Sequence, residues 1–177
     1  MIDLTKLNPA LTYQGYNIGK GTISSTIQYC SRKEAEQYKI PTNKIATHSF
    51  GLFFENGEWF VAESHLSWNG CKLLTYDKWI KDYDPESIFC FPYELNVDTL
   101  KFYCHPEYNP GYSIAEITGL ALEDIFDRHF WNNNPGFTCS EFQAIASKCF
   151  QISYKIKLPV FRTKPVHYQV YQLVNNL

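Results

Sequence analysis

The sequence predicts an α+β protein, an antiparallel sheet with helices packed against it, and three observations lead there. Residues 47–65 form two β-rich runs separated by Asn56-Gly57. Further short apolar or alternating runs follow, at Cys71–Leu74, at Ser87–Phe91 and at Ile152, Tyr154 and Ile156. Between and after them lie segments with helical spacing and capping signals, the clearest being Phe142, Ile145, Ala146, Cys149 and Phe150 behind Thr138. Strands and helices that interleave without a regular βαβ alternation indicate an antiparallel sheet with helices packed on it.

Residues 1–22 read as loop with one short strand. Ile23 and Ile27, four apart, predict a short helix over Thr22–Tyr29. The charged stretch 31–44 is expected to be an exposed helix or excursion that stops at Pro41. In the hairpin, Asn-Gly is the two-residue type I′ turn, whose twist matches that of the flanking strands. That turn pairs Glu55 with Glu58, Phe54 with Trp59, Leu52 with Val61, Phe50 with Glu63 and His48 with His65. Because side chains alternate, His48, Phe50, Leu52 and Phe54 share a face with Trp59, Val61, Glu63 and His65. A glutamate and two histidines therefore sit on an otherwise apolar face, with Glu63 diagonal to His48.

Thr75 is expected to cap a short helix reaching Tyr83, with Asp84-Pro85 as a turn. Cys90 reads as ordinary core within its strand. Asn96 caps a helix through Leu100, Tyr103 and Cys104 that Pro106 ends, and Tyr112–Arg128 reads mostly as helix. Val166–Val174 is a further strand candidate.

One domain over residues 1–177 is the simplest organisation for a chain that is 45% hydrophobic and 17% aromatic, a composition that argues against disorder. A net charge of −2 without a Lys/Arg cluster offers no footprint for nucleic acid. No run approaches the roughly 18 apolar residues of a membrane span, and the N-terminus lacks the apolar core of a signal peptide. A cytoplasmic location is therefore expected, with the six cysteines as free thiols. No C-x-x-C pair is present, and no metal or cofactor is expected; zinc held by His48, His65 and a cysteine is a minor option.

The candidate nucleophile is Cys139. Thr138 followed by Glu141 is a capping-box pattern, so Cys139 is the first residue of a helix. There the unpaired N–H groups and the helix dipole favour a thiolate. Cys139 falls on the same stripe as Phe142 and Ala146, so its sulfur faces the body of the protein, where a histidine can reach it. His48, oriented by Glu63, is the candidate base; His65, directly opposite His48, is the alternative.

Thr47-His48-Ser49-Phe50-Gly51-Leu52, Val61-Ala62-Glu63, Gly70-Cys71, Gly111-Tyr112-Ser113 and Thr138-Cys139-Ser140-Glu141-Phe142 resemble, in that order, the circularly permuted branch of the NlpC-type papain-like cysteine hydrolases, the YiiX-like proteins. Gly19-Lys20-Gly21 followed by Ser25 and Ile27 is similar to that branch's N-terminal segment. The resemblance spans roughly residues 15–150. It implies a papain-like fold and a triad of Cys139, His48 and Glu63. It also implies a thiol hydrolase acting on a small peptide amide, such as a cell-wall-type peptide, or on an acyl substrate as a lipid-directed thioesterase, deacylase or acyltransferase. A binding module that keeps the fold without turnover is the non-enzymatic alternative. Neither the substrate-binding residues nor the oligomeric state can be read from the sequence.

Overall fold

The computed structural model describes residues 2–115, 117–119, 136–147 and 163–177. Its centre is a five-stranded antiparallel sheet of β1 (Tyr13–Asn17), β2 (His48–Glu55), β3 (Glu58–His65), β4 (Gly70–Thr75) and β5 (Ile88–Pro92). The strands lie in the order β4-β3-β2-β1-β5. The short N-terminal strand is thus an interior one, paired with β2 on one side and β5 on the other and buried along its whole length. From its turn as far as Gly51 and Ala62 the hairpin has the predicted register: Glu55 faces Glu58, Phe54 faces Trp59 and Leu52 faces Val61. Its turn places Asn56 at φ 50° and Gly57 at φ 87°, the two left-handed residues that a type I′ turn requires.

Alternation along the strands gives the sheet two apolar faces. Tyr13, Phe50, Leu52 and Val61 point to the first and pack with Trp79 of α3 (Tyr76–Trp79) and with Ile2, Leu4 and Leu7 of the N-terminal segment. Phe53 and Ala62 point to the second, where they meet Leu100 of α4 (Val97–Cys104) and Phe142 and Ala146 of α5 (Cys139–Ala146). Gly51 lies beneath α5. A Cβ there would come within 2.8 Å of Gln143 Oε1 and 3.0 Å of a Leu95 methyl, so a larger residue would force those side chains to shift.

On the periphery, α1 (Thr22–Cys30) covers the predicted segment. In α2 (Arg32–Gln37) the helix stops short of Pro41, because Lys39 takes a left-handed conformation at φ 57° and the N–H of Ile40 turns back to the carbonyl of Ala35. This segment is not wholly exposed: Ala35, Ile40 and Ile45 are buried against Val166 and Val170.

Those two valines belong to α6 (Pro165–Val174), which corrects the expectation of a strand over Val166–Val174. The β-branched and aromatic residues suggest a strand, but Pro165 at the first position favours a helical start. The i, i+4 pair Val166 and Val170 packs on α2, while Tyr168 turns to Tyr16 and Phe91 on the sheet and to Ala46 just before β2. A helix buried on two sides loses the polar face that would have betrayed its period.

A second correction concerns α5, expected to run to Phe150. It ends at Ala146; Ser147 is extended, bridges to Leu95 and returns its N–H to Gln143, while the N–H of Asn96 takes the carbonyl of Ala146 at 2.7 Å. Cys149, Phe150 and the strand expected over residues 152–156 lie outside the described residues. Of the helix expected from Tyr112, helical backbone is described at residues 114–115 and 117–119, and Tyr112 itself bridges to Phe137. The cap of α4 is as expected, with Asn96 Oδ1 accepting from the N–H of Thr99 at 3.0 Å. Cys90 is only half-buried, at the margin of the first core.

Candidate active site

The structure brings Cys139, His48 and Glu63 together, by a route that the sequence does not disclose. His48 and Glu63 lie on the first face of the sheet, whereas the cysteine helix packs on the second. They meet because His48 is the first residue of β2 and Cys139 the first residue of α5, so the thiol and the imidazole join around the end of the strand.

The helix is fixed there by its capping box. Thr138 Oγ1 accepts from the N–H of Glu141 at 3.3 Å, and Glu141 Oε2 accepts from the N–H of Thr138 at 2.7 Å. Gln143 Nε2 donates to the carbonyl of Ala62 at 2.9 Å, and Tyr168 of α6 donates its hydroxyl to the carbonyl of Ser140 at 3.1 Å. The first turn of α5 is therefore tied to β3 on one side and to α6 on the other.

Glu63 is wholly buried. Its Oε2 accepts from His48 Nε2 at 2.7 Å, from Trp79 Nε1 at 2.8 Å and from the Tyr83 hydroxyl at 2.8 Å, and its Oε1 accepts from Trp68 Nε1 at 3.2 Å. Burial alone would raise its pKa, but the positive charge of His48 and the donated hydrogen bonds outweigh that and bring it down to about 2. A buried carboxylate surrounded by donors is a fixed anion, and it binds the imidazole at Nε2. That leaves Nδ1 for the thiol.

Cys139 is 2% exposed, with His48 and Ser49 as the groups that act on its thiol. Burial pushes its pKa up; the His48 charge, the His48 hydrogen bond, and the backbone N–H and hydroxyl of Ser49 together push it below that of an ordinary thiol. The Ser49 Oγ is itself buried without a hydrogen-bond partner. For His48 burial works downward, yet the Cys139 thiolate and the Glu63 carboxylate raise its pKa to about 10. Each group thus favours the charged form of the other, the imidazole drawing the thiol toward the thiolate and the sulfur drawing the imidazole toward the imidazolium. Three other cysteines differ: burial raises Cys71 and Cys90 to about 12 and shifts Cys104 up as well.

His65 does not share this position. Its ring stands edge-on to His48 at 5.3 Å, but its Nδ1 accepts from the N–H of Ser67 at 3.1 Å, capping a turn. Burial and the neighbouring His48 charge lower its pKa. Among the described residues no three His, Cys, Asp or Glu side chains converge to hold a metal ion, and His48, His65 and a cysteine do not form such a set.

Ser49, Trp68, Trp79 and Tyr83 are the participants that the sequence reading missed. A signal for the last three existed: a tryptophan N–H or a tyrosine hydroxyl needs a partner when its ring is buried, and a glutamate on the apolar face of a nearby strand supplies one.

Two clefts adjoin the pair. Beside Cys139 lies a narrow one of about 20 Å³, lined by Ile27, Ser31, Tyr112, Ile117 and Pro165. Beyond His48 lies a polar one of about 270 Å³, lined by Asn17, Lys20, Ser24, His65, Asp82 and Tyr83. The amide of Asn17 is buried in the latter and its Oδ1 has no partner.

Compared with known proteins, the chain matches no protein-family model, and no curated protein is significantly similar to it. No helix of the described residues is long and apolar enough to cross a membrane.

Proposed function

We propose that the protein is a papain-like thiol hydrolase in which Cys139 is the nucleophile, His48 its proton partner and Glu63 the residue that orients His48. One observation carries the reading: the buried imidazole is held at Nε2 by a fixed carboxylate 2.7 Å away, and its charge acts on a buried thiol at a helix N-terminus. Nucleophile, base and orienting group in that sequence are the signature of an activated nucleophile. The resemblance to the permuted NlpC-type hydrolases points the same way.

The thiolate attacks the carbonyl carbon of an amide or ester, and the N–H of Cys139 in the first turn of α5 is one donor to the oxyanion. As the tetrahedral intermediate collapses, the imidazolium gives its proton to the departing amine or alcohol, leaving a thioester on Cys139. Water, deprotonated by His48, then attacks the thioester, releasing the acid and restoring the pair. The resemblance to the permuted NlpC-type hydrolases suggests a small peptide-type amide first and an acyl ester second.

The test is alkylation by iodoacetamide as a function of pH, followed at each cysteine by mass spectrometry. Cys139 is expected to react fastest at pH 6 to 7, with an apparent pKa well below ~8.5, and to lose that advantage in His48→Ala. His65→Ala should leave it in place. A Cys139 no more reactive than Cys71 or Cys90, or unaffected by His48→Ala, defeats the proposal.

A further inference from the structure

Ser31 occupies a position whose usual job it does not perform. It is the N-cap residue of α2, where a serine hydroxyl ordinarily accepts a hydrogen bond from the first turn. Here no such bond is made. The residue is wholly buried, and its Oγ has no partner. An unpaired hydroxyl in a protein interior is costly and needs a reason.

Its surroundings supply one. Ser31 lines the narrow cleft beside Cys139, together with Ile27, Ile117 and Pro165. The other polar side chains from the helix ends there are committed. Thr138 caps α5, Ser140 Oγ donates to the carbonyl of Thr163, and Lys164 Nζ donates to the carbonyl of Cys30 and to Glu34 Oε1, each at 2.6 Å. An apolar slot next to a nucleophile, with a free hydroxyl in its wall, is a recognition site for a group that is small, largely apolar and able to make one hydrogen bond.

Resting on the hydrolase reading, we propose that Ser31 determines acyl specificity: the cleft takes a short acyl group bearing one hydrogen-bonding substituent, of the 2-hydroxyacyl or 2-aminoacyl kind, and rejects a plain fatty acyl chain. The thioester formed on Cys139 places the acyl group beside the sulfur, which is where this cleft lies. A cavity of about 20 Å³ holds something near the size of a water molecule or a methyl group, and a long chain would have to displace Ile27 or Ile117. Ser31 Oγ, acting as donor or acceptor, then satisfies the substituent and is itself satisfied.

The experiment uses 4-nitrophenyl esters of 2-hydroxypropionic, propionic and octanoic acids. Release of 4-nitrophenol is measured with the native protein, Ser31→Ala and Cys139→Ala, and the acyl group on Cys139 is identified by mass spectrometry. The 2-hydroxypropionyl ester is expected to exceed the propionyl ester in kcat/KM by about tenfold, the worth of one hydrogen bond, with the octanoyl ester slowest. In Ser31→Ala the ratio of the first two should fall to within about twofold. Acylation of Cys139 with no preference for the hydroxylated ester in the native protein, a preference that survives in Ser31→Ala, or an octanoyl ester that reacts best each overturns the assignment of Ser31 while leaving the nucleophile standing. Ester cleavage equal in the native protein and Cys139→Ala, with no acyl-enzyme formed, overturns the hydrolase reading and this proposal with it.

Discussion

Glu63 shows how much a single side chain can be asked to hold. One of its oxygens receives a histidine, a tryptophan and a tyrosine at 2.7 to 2.8 Å, and its other oxygen receives a second tryptophan. Hydrogen bonds to a charged group are worth about 1.5–3 kcal/mol each, so the set offsets much of the cost of burying the carboxylate. Tyr83→Phe removes one donor and little volume. It is expected to cost about 1.5–3 kcal/mol in chemical denaturation and to raise the Glu63 pKa from its depressed value; unchanged stability would mean that the other donors already saturate Oε2. At this scale the sequence was informative wherever chemistry follows from pattern. The capping box named Cys139, and the hairpin register placed His48 diagonal to Glu63. Ser49 stayed hidden because it belongs to the opposite face of β2 from its neighbour His48, and only the helix packed on that face gives it a role.

Among the elements, α5 depends on two local features, its cap and the glycine beneath it. Loss of an N-cap side chain typically costs ~1 kcal/mol. Thr138→Ala should therefore lower stability by about that amount, and because the cap also fixes the first turn under the sulfur, the Cys139 pKa should rise toward that of a free thiol. Thermal melting with pH-dependent alkylation reads both, and a loss of stability with no change in reactivity would show that the cap serves the helix alone. The hairpin was legible because a two-residue turn dictates its own register. The segment now seen as α6 was misread because its residues are buried on two sides, against α2 and against the sheet, so neither period stands out. The early stop of α5 was not legible either: Ser147 turns extended to meet Leu95, a residue some fifty positions earlier, and no local signal announces such a partner.

For the whole molecule, the buried charges tie stability to pH in a definite direction. The Glu63 carboxyl has a folded pKa of about 2 against 4.5 for the free group, so between those values the unfolded chain binds more protons. Its contribution is full above about pH 4.5 and is lost as the pH falls toward 2. His48 has the opposite sign: raised from 6.5 to about 10, it contributes fully below pH 6.5, and that contribution is lost as the pH rises through 10. In urea titrations Glu63→Gln is expected to be less stable near neutrality, because it leaves a buried cation uncompensated, and to show a shallower loss of stability between pH 4.5 and 2. An unchanged acid slope would mean that other carboxylates govern the acid limb. The α+β class was readable at this scale from the count and spacing of elements. The order of the strands was not, since the placing of the short β1 between β2 and β5 rests on pairings remote in sequence.

The meeting of His48 and Cys139 around the end of a strand has a consequence for folding. The imidazole and its carboxylate are assembled by the hairpin and α3, from residues 48 to 83, while the thiol arrives with a helix more than fifty residues later that docks on the other side of the sheet. A chain with a complete sheet and an undocked α5 carries Cys139 as an ordinary thiol, mostly protonated at neutral pH. The His48 charge can lower the Cys139 pKa only once α5 has docked, so this sulfur differs from an ordinary thiol only when both faces of the sheet are covered.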